Sequence, residues 1–422
     1  MSNPEMVERY STQTTRLVFV MVGLPARGKS YLARRLLRYL SWLGYRTRVF
    51  NVGSYRRRLL GGRHDASFFA PDHVEGRRLR REMAMAAADD LAAWFSEGGE
   101  VAIYDATNTT RARRRLLLER FEPLGLQVVF IESLTDEATL IEENIQDKQR
   151  HSPDYTGVAM DVAMSDFRVR LAHYQSIYEP LNDEEHSYIK IVDAGRQVIA
   201  NRIHGFLPSR AVYILMNLHL ERRPIMLTRH GESVFNAKGR IGGDSGLTQC
   251  GLSYASELST FVHDRFPDKP PVVWTSTLRR TRETAAVMGV PFVEWRALDE
   301  IEAGICNALT YEEIKERFPE EYTARKEDKL RYRYPRGESY MDVIERVSPL
   351  ILELERQREP VVVVAHQAVL RVLYAYFVHK PLSACPYSSI PLHTVIELTP
   401  SSYGCDEQRH PLSDTVRESD SG

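Results

Sequence analysis

The sequence predicts an α/β protein built from two doubly wound domains. Three features lead to this prediction. Short apolar runs of strand length alternate with helical patterns, a phosphate-binding loop follows the first run, and two histidines in the second half each follow another such run. A chain of 422 residues is long enough for two or three domains, each with its own hydrophobic core.

The composition argues against several classes of protein. The 56 Lys and Arg residues nearly balance the 57 Asp and Glu residues, which disfavours a general nucleic-acid binder. No apolar run approaches the ~20 residues of a membrane helix, and the N-terminus lacks a signal-peptide profile. The four cysteines are far apart and without metal-ligand spacing, so we expect a reducing compartment and a cytoplasmic location.

The first apolar run, 17–22, leads straight into a complete G-x-x-x-x-G-K-S motif. This motif consists of Gly23, Leu24, Pro25, Ala26, Arg27, Gly28, Lys29 and Ser30. A helical pattern follows, and the order strand, loop, helix favours a true P-loop over a chance match. Backbone N–H groups of such a loop wrap phosphates, the lysine neutralises the terminal phosphate, and the serine can bind Mg²⁺.

The α/β pattern continues through the first half. Strands are predicted near 47–51, 101–104, 126–131 and 188–192, and helices near 75–95, 136–149 and 162–178. The strand at 101–104 leads into Asp105, and ligands of parallel sheets lie at the C-terminal ends of the strands. We therefore expect Asp105 to face the nucleotide metal or the attacking hydroxyl. The alternative is a helix-capping or turn aspartate.

Arginines are concentrated where a phosphorylated substrate would need them. Arg56, Arg57 and Arg58 follow a predicted strand, Arg80 lies in a predicted helix, and Arg113 follows the Asp105 turn. Arginine-rich helix faces are usually solvated, so the sequence alone does not choose among these residues.

The domain boundary is predicted at a short charged connection near 220–223. We assign 1–16 to a short N-terminal segment, 17–221 to the first domain, 222–403 to the second domain and 404–422 to a disordered polar tail.

Two histidines mark the predicted site of the second domain. His230 and its neighbour Arg229 follow the apolar run 224–227, and His366 follows the run 361–365. Histidines that follow parallel strands of one sheet would meet at the same edge, although a lone strand-end histidine is more often structural. There, the imidazole could attack a phosphoryl group while the arginine binds its oxygens.

Two further residues complete this predicted site. Arg280 lies near a predicted helix N-terminus, where phosphate binds well. Glu300 is a candidate general acid for the leaving hydroxyl if burial keeps it protonated. Charge neutralisation and covalent transfer to His230 would together promote hydrolysis of a phosphate monoester without a metal.

With these motifs the chain resembles the bifunctional 6-phosphofructo-2-kinase/fructose-2,6-bisphosphatase family over nearly all of 17–403. The motifs that carry the resemblance are VGLPARGK (22–29), NVG (51–53), DATNTTR (105–111), SPDY (152–155), RHGE (229–232), GRIGGD (239–244) and AHQA (365–368). The resemblance implies a P-loop NTPase-like kinase domain followed by a phosphoglycerate-mutase-like histidine phosphatase domain. It also implies a homodimer formed through the kinase domains.

For the first domain, the resemblance implies phosphate transfer from ATP to the 2-hydroxyl of fructose 6-phosphate, with Asp105 near the transferred group. The P-loop and the strand end themselves lead us to expect Mg²⁺ at Ser30 and Asp105. Besides the P-loop, the nucleotide would be bound by Tyr31, Asn144 and Lys148. Fructose 6-phosphate would be held by Arg56, Arg80, Thr107, Arg113, Gln149, Arg170 and Tyr174. The chain departs from animal members at two positions. Thr135 occupies the position of a cysteine in those members, so this cysteine is not essential here. Gln149 occupies the position of a lysine, so either Lys148 or Gln149 makes the contact of that lysine in the kinase site.

For the second domain, the resemblance implies hydrolysis of the 2-phosphate of fructose 2,6-bisphosphate through phospho-His230, without a cofactor. Glu300 would donate the proton and His366 would complete the phosphoryl pocket. The bisphosphate would be held by Arg229, Asn236, Gly242, Tyr311, Arg325, Lys329, Tyr340, Gln367 and Arg371. Some relatives with a kinase-dominated balance lack an arginine at the position of Arg280, so its presence implies a working phosphatase.

Two other functions stay open at this point. One is a polynucleotide 5′-kinase joined to a phosphatase, which the near-neutral charge and the absence of interleaved aromatic and basic residues disfavour. The other is a non-catalytic metabolite sensor, which the intact Lys29, Asp105, His230, Glu300 and His366 disfavour.

Overall fold

The computed structural model describes residues 16–61, 64–138, 141–142, 144–146, 154, 157–182, 187–218, 223–401 and 404–412. The chain divides into two compact units, Met1–Leu220 and Glu221–Gly422. Each unit contains a six-stranded sheet with helices between its strands, so the predicted α/β class is confirmed. None of the helices in these residues combines the length and the hydrophobicity that crossing a bilayer requires.

The first unit is organised around a central buried strand. Its strands are β1 (Leu17–Val22), β2 (Thr47–Asn51), β3 (Val101–Asp105), β4 (Gln127–Leu134), β5 (Tyr188–Val192) and β6 (Gln197–Asn201). Its helices are α1 (Lys29–Trp42), α2 (Val52–Leu60), α3 (Val74–Ser96), α4 (Arg111–Phe121), α5 (Met160–Gln175) and α6 (Phe206–Asn217). Every residue of β1 is buried and apolar, as expected for a strand that is covered on both faces of the sheet.

The strand order of the first sheet is β2-β3-β1-β4-β5-β6, and only β6 pairs antiparallel with its neighbour in the described part of the sheet. The parallel strands end at one edge, where Asn51 lies opposite Asp105 in register. This edge therefore collects the P-loop after β1 and the polar ends of β2 and β3. The predicted strands and the helix near 75–95 are confirmed. The predicted helix at 136–149 lies partly outside the described residues.

The second unit has the strands β7 (Ile225–Arg229), β8 (Val272–Thr275), β9 (Phe292–Glu294), β10 (Val361–Ala365), β11 (Thr394–Pro400) and β12 (Cys405–Pro411). Its helices are α7 (Val234–Ala237), α8 (Gln249–Arg265), α9 (Arg279–Ala286), α10 (Tyr311–Arg317), α11 (Pro319–Glu327), α12 (Tyr340–Arg356) and α13 (Gln367–Phe377). The strand order is β12-β11-β7-β10-β8-β9. Ala365 lies opposite Arg229 in the parallel β7–β10 pair, so both predicted histidines emerge side by side.

The prediction of a disordered tail from 404 is wrong for the residues up to Leu412. Strand β12 pairs antiparallel with β11 over its whole length, from Pro400 opposite Cys405 to Thr394 opposite Pro411. The strand is polar and largely exposed because it forms the edge of the sheet. Its sequence therefore lacks the apolar pattern that identifies buried strands.

Two candidate phosphoryl-transfer sites

The P-loop joins β1 to α1 and is fixed by the neighbouring strand ends. The N–H of Gly23 donates to the carbonyl of Thr107 over 2.9 Å, and the Ser133 hydroxyl donates to the carbonyl of Arg27. Gly23 has φ +136°, and a Cβ there would lie 2.6 Å from the carbonyl oxygen of Ser133, so a side chain has no room. Among the described residues no side chain caps α1, which leaves its first N–H groups for an anion.

Asp105 links the P-loop to the second strand of the sheet. Its Oδ2 accepts hydrogen bonds from the Ser30 hydroxyl at 2.8 Å and from Asn51 Nδ2 at 2.6 Å. Helix α4 is capped instead by Thr110, which accepts from the N–H of Arg113. The capping alternative for Asp105 is therefore wrong, and its carboxylate is directed at the loop. Lys29 is also buried, and its ammonium donates to the carbonyl of Leu24.

The arginines predicted to hold the sugar phosphate are clustered in the first unit. Asp154 accepts from Arg56 Nη2 at 2.5 Å and lies 3.9 Å from Arg170 Nη1. Both guanidinium groups lie over the ring of Phe69, at 5.5 Å for Arg56 and 3.6 Å for Arg170. The Tyr174 ring is 6.1 Å from the same phenylalanine.

Arg80 and Arg113 extend this cluster. Arg80 donates to the carbonyls of Phe68 and Ala70, and its charge interacts with Arg113, Arg170 and Tyr174. Burial lowers the pKa of Arg80 and of Arg113, since desolvation disfavours the charged guanidinium. Nη1 of Arg113 is buried and has no hydrogen-bond partner within the described residues. Buried guanidinium groups that are desolvated and incompletely hydrogen-bonded are suited to binding an anionic ligand.

The structure describes only some of the other residues predicted to bind the nucleotide. Tyr31 is buried in α1, where the Arg35 guanidinium lies 4.8 Å from the centre of its ring. Asn144 has a buried Nδ2 with no hydrogen-bond partner in the described ranges, and its neighbour Ile145 belongs to a cluster that contacts Ala26. Lys148 and Gln149 lie outside the described residues.

In the second unit, the hydrogen bonds of His230 define its tautomer. Nδ1 lies 2.7 Å from the carbonyl oxygen of Gly231, and Nε2 lies 3.0 Å from Nε of Arg280. A carbonyl only accepts and a guanidinium only donates, so Nδ1 carries the proton and Nε2 carries the lone pair. Burial, together with the positive charge of Arg280, holds the pKa of His230 well below its usual range. The imidazole is therefore neutral and nucleophilic at neutral pH.

His366 lies beside His230, with ring centres 5.1 Å apart. Its Nε2 lies 2.7 Å from the Ser276 hydroxyl, which lies 2.7 Å from the hydroxyl of Thr281. Burial and Arg280 hold the pKa of His366 well below its usual range. His366 is fully buried, and its Nδ1 has no hydrogen-bond partner among the described residues.

Two arginines make this pocket cationic. Arg229 Nη1 donates to the carbonyl of Ile390 at 3.2 Å, and Arg280 Nη1 donates to the carbonyl of Gly243 at 2.6 Å. Burial lowers the pKa of Arg280, although Glu300 and Asp244 act in the opposite direction. An anionic ligand would compensate for this desolvation.

Glu300 is held by backbone groups at the pocket wall. Its Oε1 accepts from the N–H of Ile301 at 2.9 Å and of Ala368 at 3.2 Å. Arg346 fixes the segment by donating to the carbonyls of Asp299 at 2.7 Å and Glu300 at 3.3 Å.

The far end of the cavity contains the predicted sugar-binding side chains. Arg325 donates to the hydroxyl of Tyr311 and to that of Tyr334, each over 2.8 Å. Arg371 donates to the hydroxyl of Tyr340 at 3.2 Å, and burial raises the pKa of Tyr340 to about 12.

Gly242 and Asn236 shape another wall of the same cavity. At Gly242, with φ +65°, a Cβ would lie 1.9 Å from Oδ1 of Asn307, so only glycine fits. Asn236 Oδ1 accepts from the backbone and hydroxyl of Ser233 and so closes a capping box on α7. The cavity brings together His230, Arg280, Glu300, Arg229, Asn236, Gly242, Tyr311, Arg325, Lys329, Tyr340, Gln367 and Arg371.

Sequence reasoning missed several residues that support these groups: Ser276, Thr284, Tyr334 and Arg346. They contact the site through tertiary hydrogen bonds, which have no signature in sequence spacing. Only Thr284 offered a signal, since it lies one helical turn after Arg280.

Comparison with known proteins gives two family matches. The family model described as 6-phosphofructo-2-kinase matches residues 5–222, and that of the histidine phosphatase superfamily (branch 1) matches residues 225–411. The chain is 52% identical to an Arabidopsis thaliana 6-phosphofructo-2-kinase/fructose-2,6-bisphosphatase, covering 94% of this chain but only 54% of that protein. It is 49% identical to the Gallus gallus protein of the same name, covering 92% of this chain and 83% of that one.

Among solved structures, the chain is similar to a putative alpha-ribazole-5′-P phosphatase from Escherichia coli. The identity is 24% and the TM-score 0.41, over 44% of this chain and 94% of the other.

Proposed function

The chain belongs to the 6-phosphofructo-2-kinase/fructose-2,6-bisphosphatase family, and from this premise we propose that it both makes and hydrolyses fructose 2,6-bisphosphate. The first site transfers phosphate from ATP to the 2-hydroxyl of fructose 6-phosphate. The second removes the same phosphate. The family match leaves the polynucleotide-repair and metabolite-sensor alternatives without support.

The first site suits a nucleotide bound with Mg²⁺. The Ser30 hydroxyl and the Asp105 carboxylate are oxygen donors 2.8 Å apart, the ligand chemistry that Mg²⁺ prefers beside phosphates. These two residues would hold the ion, which when bound neutralises charge on the nucleotide phosphates. Lys29 and the N-terminus of α1 would bind the phosphates themselves. Asn51 would keep the Asp105 carboxylate turned toward the loop through their 2.6 Å hydrogen bond.

The arginine cluster of the first unit would anchor the 6-phosphate of the sugar. Arg56 and Arg170 lie over the ring of Phe69, and Arg80 and Arg113 interact electrostatically with Tyr174. Desolvation lowers the pKa of Arg56, Arg80 and Arg113. A phosphate dianion would restore the electrostatic balance that burial disturbs. Asp154 now neutralises part of this cluster, so we propose that it orients the guanidinium groups before the substrate arrives.

At the second site, Nε2 of His230 attacks the phosphorus of the 2-phosphate. A bond forms between nitrogen and phosphorus, the bond between phosphorus and the sugar oxygen breaks, and Glu300 gives its proton to that oxygen. Water then attacks the phosphohistidine, Glu300 takes a proton from it, and inorganic phosphate leaves. Arg229 and Arg280 neutralise the negative charge of the phosphoryl oxygens. Arg280 gives up its hydrogen bond to Nε2 of His230 and forms one to the phosphoryl group instead. We propose that this reaction needs no cofactor.

The single observation that carries the second activity is the fixed tautomer of His230, which directs a lone pair at an arginine-lined cavity. Two wider features are part of the proposal. The family resemblance supports a homodimer, and the four free thiols suit a reducing, cytoplasmic compartment.

The test measures both reactions on one purified sample. ATP and fructose 6-phosphate should give fructose 2,6-bisphosphate. Fructose 2,6-bisphosphate labelled in the 2-phosphate should give labelled inorganic phosphate and an acid-labile phosphoprotein. Folded protein that never becomes labelled while it hydrolyses the substrate would overturn the phosphohistidine pathway.

A further inference from the structure

We infer that Thr284 is a positioning residue that holds His230 and Arg280 in a closed ring of hydrogen bonds. Thr284 lies on α9, one helical turn after Arg280, and is completely buried. It does not line the cavity, so it acts through its neighbours and not on the substrate. The inference rests on the proposed phosphatase reaction and deepens it.

Four hydrogen bonds close the ring. Arg280 Nε donates to His230 Nε2 at 3.0 Å, and His230 Nδ1 donates to the carbonyl of Gly231 at 2.7 Å. The N–H of Gly231 donates to the Thr284 hydroxyl at 3.0 Å. That hydroxyl donates in turn to the carbonyl of Arg280 at 2.7 Å. The nucleophile, its backbone partner and the phosphate-binding arginine are thus linked through one threonine.

The direction of every bond in the ring is fixed by chemistry. An N–H group must donate and a carbonyl must accept, so the Thr284 hydroxyl accepts from Gly231 and donates to Arg280. The N–H of Gly231 belongs to the peptide that joins it to His230, and its carbonyl belongs to the next peptide along the chain. The bond to Thr284 therefore fixes the backbone at Gly231, whose carbonyl faces Nδ1 of His230 and selects the tautomer with the lone pair on Nε2. The same hydroxyl ties the backbone of Arg280 to the His230 loop, so both groups are positioned together.

The surroundings prevent the ring from relaxing. At Gly231 even a Cβ would lie 2.3 Å from the carbonyl oxygen of Gly251, so this peptide is tightly packed on its other side. If the Thr284 hydroxyl is removed, the N–H of Gly231 is left buried without a partner. The loop must then shift to satisfy it, and displacements of about 1 Å in an active site can cost up to about 100-fold in rate.

A bond from a helical threonine to the carbonyl four residues earlier is common and by itself only structural. Here the second bond, from Gly231, connects the helix to the nucleophile loop. A positioning role therefore predicts a change in kcat and in the His230 tautomer. A purely structural role predicts loss of stability alone.

The test compares Thr284→Val, which keeps the shape but removes the hydroxyl, with Thr284→Ser, which keeps the hydroxyl. For Thr284→Val we expect kcat of the phosphatase to fall about 10- to 100-fold with KM changed by less than about 3-fold. Thr284→Ser should retain kcat within about 3-fold. In ¹⁵N spectra, the His230 signal, identified by its absence in His230→Ala, should lose its uniform Nδ1–H character in Thr284→Val.

Thr275→Val is the matched control. Thr275 is a buried threonine of β8 in the same unit, and within the described residues its hydroxyl has no hydrogen-bond partner. It should leave both kcat and the His230 spectrum unchanged. If Thr284→Val does not fold, Thr284→Ala compared with Thr284→Ser isolates the hydroxyl, since both lack the methyl group.

The proposal is overturned if Thr284→Val keeps wild-type kcat, if the serine variant loses as much activity as the valine variant, or if the His230 tautomer is unchanged. Failure of the proposed function looks different, since the wild-type protein itself would then not hydrolyse the bisphosphate. The tautomer measurement on ligand-free protein would still decide whether the ring exists.

Discussion

The hydroxyl of Ser30 donates a hydrogen bond of 2.8 Å to the carboxylate of Asp105. The two residues are 75 positions apart in the chain, and one lies at the start of α1 while the other ends β3. Both were predicted as metal ligands from different features of the sequence. Their contact gives the first site a preformed pair of oxygen donors beside the P-loop.

Asp105→Asn should reduce kinase activity by about 100-fold or more and weaken the dependence of the rate on Mg²⁺, because the amide removes the negative charge that faces the metal. The measurement is the initial rate of fructose 2,6-bisphosphate synthesis during a Mg²⁺ titration. Asp90→Asn is the matched control, since the Asp90 carboxylate accepts from Tyr55 at 2.8 Å, away from the P-loop. Equal activity of the two variants would remove Asp105 from the proposed metal site.

Lys29→Met should stop synthesis and leave hydrolysis intact, whereas His230→Ala should do the reverse. The physical reason is that each residue serves a different unit, Lys29 at the phosphates of ATP and His230 at the 2-phosphate. Both initial rates should be measured on the same preparation. Loss of both activities in either well-folded variant would show that the two sites depend on each other.

The second unit should lose stability as the pH falls below about 6.5. The pKa of His230 and of His366 lies well below 6.5 in the folded protein, so below 6.5 the unfolded chain binds protons that the folded chain does not. The free energy of unfolding therefore falls with decreasing pH, by up to about 1.4 kcal/mol per pH unit for each histidine.

Urea denaturation of the full chain at pH 5, 6, 7 and 8 measures this slope. In His230→Gln, one of the buried imidazoles with a lowered pKa is gone, so the decline between pH 6.5 and 5 should be shallower. Wild type and variant with identical slopes would mean that the His230 imidazole is protonated equally in both states.

Tyr334→Phe should raise KM for fructose 2,6-bisphosphate about 3- to 10-fold with little change in kcat. Tyr334 accepts from Arg325 at 2.8 Å, so its loss leaves this arginine less well directed into the cavity. Tyr332→Phe is the control. Tyr332 also lines the cavity, but its hydroxyl donates to Glu321 at 2.8 Å. A fall in kcat without a change in KM would assign Tyr334 to the chemical step and not to binding.

The sequence predicted those parts of the fold and the site that depend on buried strands. The runs at β1, β7 and β10 are apolar throughout and end in the P-loop, His230 and His366, so position and chemistry could be inferred together. Edge strands β6 and β12 were missed because they are mostly exposed and carry no such pattern. The buried strand β11 was missed as well, because Thr394, Glu397 and Thr399 interrupt its apolar residues.

The tertiary contacts of the supporting residues could not be predicted, for a different reason. Thr284 meets Gly231 across 53 positions, and Arg346 meets Asp299 across 47. Such contacts depend on how helices and loops pack after the sheet has formed. A single sequence, read without an alignment, contains no pattern that identifies them.

Strand β12 has a practical consequence for anyone who shortens this protein. A protein cut at 403, where the chain first looks dispensable, would lack β12 and would leave the full outer edge of β11 open. That edge is one strand away from β7, the strand that delivers His230. An unprotected edge of this kind recruits strands from other molecules. A truncated enzyme would therefore be expected to lose solubility before it lost any residue that touches the sugar.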